Sequence, residues 1–185
     1  MKFFKRRAVA VILSIILILF TTFLSVNMRL EKRQNEVTEG FVNGVYVDGE
    51  LQESIYSQLR EIYAASSEII SIAKLCGIDT EEAYDQCEYL NYGLTTIDDD
   101  VSYMHYCYTK LGEDIDDLLI KLKETDISDA DKAEIDSQIL IIREAEKRIA
   151  NSGYNESVRK YINSLTSLER YFANATGVYG PEYFA

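Results

Sequence analysis

Four kinds of residue in this 185-residue chain could define a chemical site, and their spacing limits what each can do. Acidic clusters come first: Asp98-Asp99-Asp100, then Glu113, Asp114, Asp116 and Asp117. A hard cation such as Ca²⁺ wants several oxygen ligands converging from a flexible loop. The apolar pattern around these acids predicts a straight helix, which splays them around a cylinder. No Glu-x-x-His pair, the mark of carboxylate di-metal bundles, accompanies them. They read as a solvated face, and no metal site is assigned. The single histidine, His105, sits between Met104 and Tyr106, beside an apolar seam. No Ser or Cys is spaced to form a nucleophile with it, so its role reads as structural or superficial. Cys76, Cys87 and Cys107 are odd in number. Cys76 and Cys87 flank a turn with offsets that differ by roughly 10 Å, too far for a relaxed disulfide. All three read as buried free thiols acting as small apolar residues. No catalytic or cofactor-binding residue emerges, and the chain is not read as an enzyme.

Tyrosine is the unusual component, with 14 Tyr against 7 Phe and no Trp. With Cys87 at heptad position a, Tyr89 and Tyr103 fall at c, and Tyr92 and Tyr106 fall at f. At about 100° per residue, these four point about 160° away from the a/d seam. Such a helix is either sandwiched between two partner helices or presents an aromatic patch that docks a partner. Tyr89, Tyr92, Tyr103 and Tyr106 are therefore the candidate partner-binding residues.

The elements that position them begin with an anchor. Residues 8–26 (AVAVILSIILILFTTFLSV) are free of charge, and roughly 20 apolar residues suffice to cross a bilayer as a helix. Residues 1–7 form a basic flank with Lys2, Lys5, Arg6 and Arg7, while Arg29, Lys32 and Arg33 follow the run. The N-terminal excess of positive charge predicts a cytoplasmic N-terminus and an extracytoplasmic remainder, in the plasma membrane. A cleaved signal peptide fits less well, because Phe23, Leu24, Val26 and Met28 stand where small residues are needed. No cysteine ends the run as in a lipoprotein, and no acid enters it as in a type IV pilin.

The formal net charge is −12, yet residues 1–33 hold seven basic side chains and one acid. The remainder carries 12 basic and 30 acidic side chains. That polyanion repels phosphate backbones, so nucleic acid is excluded as a partner. One Pro and nine Gly also exclude a turn-rich all-β chain. Residues 27–50 read as a juxtamembrane stalk and linker, with no helical period over 34–50 and with Phe41–Val47 extended. The stalk helix could also continue past Val26 and supply a fourth packing element.

Residues 51–185 read as one helical domain. A first helix over Leu51–Leu75 carries Ile55, Leu59, Ile62, Ser66, Ile69 and Ala73, with Gly77 as its C-terminal cap. Asp79 is placed to cap the next helix, with Glu82 three residues on. Then Ala83, Cys87, Leu90, Leu94, Ile97, Val101, Met104, Tyr108, Leu111, Ile115, Leu118 and Leu122 keep unbroken 3–4 spacing. This predicts one helix about 60 Å long, packed in a left-handed supercoil, with Gly93 and Gly112 inside it. Ser128 caps a third helix that carries Ile135, Ile139, Ile142, Ala145 and Ile149. It restarts after Gly153 as Tyr154, Val158, Tyr161, Leu165, Leu168 and Phe172. Short turns make the neighbours antiparallel. The fold class is all-α: a single N-terminal transmembrane helix, then an elongated antiparallel three- or four-helix bundle.

Residues 150–161 (ANSGYNESVRKY) and 177–184 (GVYGPEYF) resemble the ending of LemA family proteins. That ending reads A-R-x-x-Y-N-x-x-V-x-x-Y-N and closes with G-F-x-x-x-x-Y-F. Asn151 replaces the family's Arg, Ile162 its second Asn and Val178 its Phe, and the Phe-Pro before the last segment is missing. The resemblance implies a membrane-anchored antiparallel helical bundle with no established enzymatic activity and no catalytic residues. Tyr183-Phe184 would fold back and seal the bundle end, with Gly177 and Gly180 allowing the reversal.

The functional expectation is a membrane-anchored scaffold or adaptor of the cell envelope. It has no cofactor, contacts the lipid bilayer through residues 8–26 and binds an envelope protein partner. A homo-oligomer is the lesser expectation beside that partner. The alternative is an extracytoplasmic ligand-sensing bundle. With no second apolar span, it would need a separate signalling partner.

Overall fold

The computed structural model describes the backbone of residues 2–96, 100–176 and 180–184, and the side chains of residues 9–96, 100–175 and 180–184. Ile97, Asp98, Asp99, Gly177 and Val178, named above, lie outside the described residues. Among the described residues the chain is mostly helical, with one long apolar helix at its N-terminus.

That helix, α1, spans Lys2–Asn43 without a break. It corrects the reading of residues 34–43 as a linker. The reason is a stripe at helical spacing: Val26, Leu30, Val37 and Phe41 turn to the same side, and Val26, Leu30 and Phe41 are buried. Val9 to Phe20 behave in the opposite way, with their large apolar side chains more than half exposed. One rigid element therefore carries an uncovered apolar half and a half that is packed into the protein.

A short hairpin corrects the all-α expectation. Strands β1 (Val45–Val47) and β2 (Glu50–Gln52) pair antiparallel, with Tyr46 opposite Leu51. Asp48 and Gly49 link them with φ of 53° and 89°, the two positive values that a type I′ turn requires. Gly44, with φ of 84°, breaks α1 just before the hairpin. A Cβ on it would stand 2.2 Å from the Gln52 carbonyl oxygen, so only glycine fits.

Helix α2 (Ile55–Leu75) begins at Ser54, whose hydroxyl accepts from the Ser57 N–H at 3.0 Å. Leu51, read as the first helical residue, belongs to β2. The end of α2 is closed by Gly77 N–H donating to Lys74 C=O and Ile78 N–H to Ala73 C=O, both at 3.0 Å. This is a Schellman arrangement, with glycine in the left-handed position. Asp79 accepts from Glu81 N–H at 3.1 Å, and α3 (Glu81–Thr96) starts one residue later than the predicted cap implies.

The single 60 Å helix is the main correction. The chain leaves α3 at Thr96 and starts α4 (Val101–Lys123) with Asp100 as its cap, accepting from Tyr103 N–H at 2.7 Å. Thr95 and Thr96 turn their hydroxyls back onto the Asn91 and Tyr92 carbonyls, which competes with further helix growth. The seam residues Leu90, Leu94, Val101 and Met104 are all buried. They face one another across a hairpin of helices rather than lying in line. Gly93 sits at the closest approach, where a Cβ would stand 3.1 Å from Met104 Cγ.

Helix α5 (Asp129–Ala150) starts at Ser128, as predicted, with its hydroxyl accepting from Asp131 N–H. It packs along α2 in opposite order. Arg148, near its end, binds Gln58 and Glu61 near the start of α2. On the other side of α2, Tyr56 donates to Leu94 C=O at 2.7 Å and Cys87 approaches Tyr63 C=O. So α2 and α3 also run in opposite directions.

Beyond Gly153 the chain returns along α1. Helix α6 (Tyr154–Ser164) buries Tyr154, Val158 and Tyr161. It stops at Leu165, and α7 (Ser167–Thr176) follows. This corrects the continuous seam, since Leu168 is exposed.

Of the Tyr183-Phe184 pair expected to fold back, Phe184 does so, whereas Tyr183 is exposed. Phe184 is buried and its ring lies 5.7 Å from Phe41, which in turn meets Tyr154 edge-on at 5.5 Å. Asn155 holds Phe184 by both backbone groups: its amide donates to Phe184 C=O and accepts from Phe184 N–H, each at 2.8 Å. Tyr154 hydroxyl donates to Glu182 C=O at 3.0 Å. Replacing Asn155 with Ala removes both bonds at once. We expect Asn155→Ala to lower unfolding free energy by about 1–3 kcal/mol and to speed carboxypeptidase trimming of the C-terminus, both measured on the full chain in detergent.

Candidate partner-binding surface

Helix α3 puts Ala83, Cys87, Leu90 and Leu94 into the core and leaves its tyrosines outside. Tyr89 is 49% exposed, Tyr92 62%, Tyr103 36% and Tyr106 56%. The structure brings three of the four together by a route the heptad count does not contain. Tyr103 of α4 lies over Gly93 of α3, where a Cβ would stand 3.6 Å from its ring. There Tyr103 feels the Tyr89 and Tyr92 phenols. Tyr106 stands further along α4 beside Lys110, which pairs with Glu113. Sequence reasoning missed Tyr84, which is 53% exposed on α3 and lies near the partly buried Tyr63 of α2. Its heptad position, e, flanks the seam and carried no distinguishing signal.

The Tyr103 hydroxyl and the two thiols buried near it have raised pKa values. Hydrogen bonding to the Cys107 thiol, then burial, push Tyr103 up to about 12. Burial and the nearby Glu88 push Cys87 up to about 12, and burial raises Cys107. Tyr103, Cys87 and Cys107 therefore keep their protons near neutral pH. Cys76, Cys87 and Cys107 are all free, and Cys76 alone is partly exposed.

Of the first acidic cluster only Asp100 lies among the described residues. Asp100 serves as the cap of α4, and Asp114 faces Glu82 across the α3–α4 cleft with Asp79, Asp117 and Lys121 nearby. Among the described residues, no three His, Cys, Asp or Glu side chains are grouped so as to hold a metal ion. Burial, Glu82 and Asp117 raise the Asp114 pKa. His105 packs edge-on against Phe184 at 4.9 Å, a structural position.

One further hollow lies between α4 and α5, floored by α2. It encloses about 180 Å³ and is lined by Ile62, Ser66, Leu111, Ile115, Ile139 and Ile142, among others. The buried Ser66 hydroxyl has no hydrogen-bond partner among the described residues.

Comparison of the chain with family models, with curated proteins and with solved structures finds no match.

Two outcomes follow from the burial pattern. Native protein should react with a maleimide quickly at Cys76, with Cys87 and Cys107 labelled only after denaturation; mass spectrometry of the labelled peptides reads this directly. Asp114 binds its proton more tightly in the folded chain than its ordinary value of 3.8. Its contribution to stability is therefore greatest below that value and is lost as pH rises through the raised one. Asp114→Asn should raise Tm relative to wild type at neutral pH, with the difference closing below about pH 3.8.

Proposed function

We propose that this chain is a membrane-anchored helical scaffold or adaptor that presents the tyrosine face of α3 and α4 to a protein partner in the cell envelope. The observation that carries the reading is the exposure of Tyr89, Tyr92, Tyr103 and Tyr106 on the outer side of two helices whose opposite sides are buried. Tyrosine supplies large, rigid contact area with a hydroxyl at its tip, and it is enriched where surfaces bind. Glu88 and Asp85 are exposed on the same helix, so the face suits a partner with basic and apolar side chains.

The anchor is residues 8–26 of α1, and the charge bias of its flanks supports a cytoplasmic N-terminus. We read helices α2 to α5 as an antiparallel four-helix bundle, supported by the opposed contacts of α2 with α3 and α5. Divergent membership of the LemA family is part of the same proposal. Its support is that Asn155 and Phe184, two residues of the resemblance, clasp one another, while Tyr154 donates to the Glu182 carbonyl beside them. Small-ligand sensing is the second reading, favoured by the hollow above α2. At about 180 Å³ it is smaller than the roughly 300 Å³ at which pockets for drug-sized ligands begin.

A photo-crosslinking residue in place of Tyr92 in cells tests the first reading, with the same residue at exposed Leu140 on α5 as control. A discrete adduct at position 92, absent at 140 and lost when Tyr89, Tyr103 and Tyr106 are Ser, is the expected result. Equal, diffuse labelling at both positions would overturn it.

A further inference from the structure

Helix α7 runs back down α1 toward the apolar run. Glu169 binds Arg29 at 3.0 Å and Arg33 at 3.4 Å, and three residues later Phe172 meets Phe23 edge-on at 5.5 Å. As α7 advances, its contacts on α1 retreat toward the N-terminus. Phe23 lies three residues inside the uncharged run that ends at Val26, a depth of about 4.5 Å along the helix. The last turn of α7 therefore sits level with the edge of the segment proposed to cross the bilayer.

The chemistry of α7 fits that level. Leu168, Tyr171, Phe172 and Ala175 follow i, i+3, i+4, i+7 spacing and form one apolar arc. Phe172 forms its inner border, on α1, whereas Leu168 is 56% and Tyr171 69% exposed. The charges of the helix are engaged elsewhere. Glu169 is buried between the two arginines and also accepts from Thr166 N–H and hydroxyl. Arg170 donates to the Leu165 and Ile162 carbonyls, away from the apolar arc. Residues 171–176 (YFANAT) carry no charge. Phe172 reaches only to Phe23, about 4.5 Å inside the run, which places this end in the interfacial layer and not in the hydrocarbon.

We infer that α7 is a second lipid contact of the protein, a foot whose Leu168 and Tyr171 enter the headgroup and acyl boundary beside the emerging α1. The inference rests on the reading of residues 8–26 as a membrane span. Aromatic side chains favour this boundary because one end is apolar and the other wet. Together, the salt bridge to Arg29 and Arg33 and the foot hold α1 at two heights, which limits rotation and tilt of the body against the membrane.

The chain has no Trp, so a single introduced Trp reports on its own surroundings. Full-length protein in phosphatidylcholine vesicles, with and without brominated acyl chains, would carry Tyr171→Trp or Leu168→Trp. Phe20→Trp reports the anchor and Tyr84→Trp the remote surface. Positions 168 and 171 should show blue-shifted emission and bromolipid quenching several-fold above position 84. Quenching at position 20 with water-like emission at 168 and 171 would overturn the foot and leave the anchor standing. A water-like position 20 would sink the anchor reading itself, and the foot with it. Blue-shifted emission at 168 and 171 without bromolipid quenching would assign their cover to a second copy of the chain, which also overturns the lipid contact.

Discussion

Three aromatic rings hold this protein together: Phe41 from α1, Tyr154 from the start of α6 and Phe184 from the C-terminal segment. Each comes from a different stretch of chain, and all three are buried. Phe184 also packs on His105 and Tyr108 of α4. The cluster therefore links the long N-terminal helix, the returning helix α6 and the α3–α4 pair at one place. Burial of one such ring stabilises by roughly 1.5–3 kcal/mol, and edge-to-face geometry adds about 0.5–1.5 kcal/mol for a pair. Ring burial alone does not fix direction. The Asn155 amide does, by pairing with both backbone groups of Phe184.

Because α1 is continuous from its apolar run to Phe41, whatever grips Phe41 also grips that run. The chain uses this twice. Near the cluster, the C-terminal half of α1 is buried against α2 and α6; further down, Arg29 and Arg33 converge on the buried carboxylate of Glu169. Hydrogen bonds from the Thr166 N–H and hydroxyl, with those arginines, hold the Glu169 carboxyl below its usual range. A buried carboxylate is tolerable only because both of its oxygens are engaged. The same contact sets the direction of α7.

At the other side of the cluster, α3 and α4 form a hairpin that leaves its aromatic face uncovered. The buried thiols Cys87 and Cys107 lie beneath that face. With their pKa values raised by burial, they act as small apolar residues in the core.

Much of this was legible in the residues. The uncharged run over 8–26, the caps at Ser128 and Gly77 and the buried stripes of α2 and α4 all follow from local chemistry. Two signals were present but outweighed. Val26, Leu30, Val37 and Phe41 keep helical spacing through a stretch whose glycines suggested a linker. Asp48-Gly49 between short apolar runs is a strong hairpin signal, and it was absorbed into that linker. The α3–α4 break was harder to read. An apolar repeat of 3–4 residues is satisfied equally by a straight helix and by two helices folded face to face, since both bury the same stripe.

The sequence by itself determined which side chains are buried along α2, α3 and α4, because burial there follows the spacing of apolar residues on a cylinder. Only the tertiary structure decided which helices meet. The convergence of Tyr89, Tyr92 and Tyr103, the meeting of Glu169 with Arg29 and Arg33, and the descent of α7 onto Phe23 join residues far apart in the chain. Helical periodicity carries information over a few turns. Contacts of that range depend on where the chain reverses, and a reversal is set by a few capping and turn residues whose energies are small beside the core they orient.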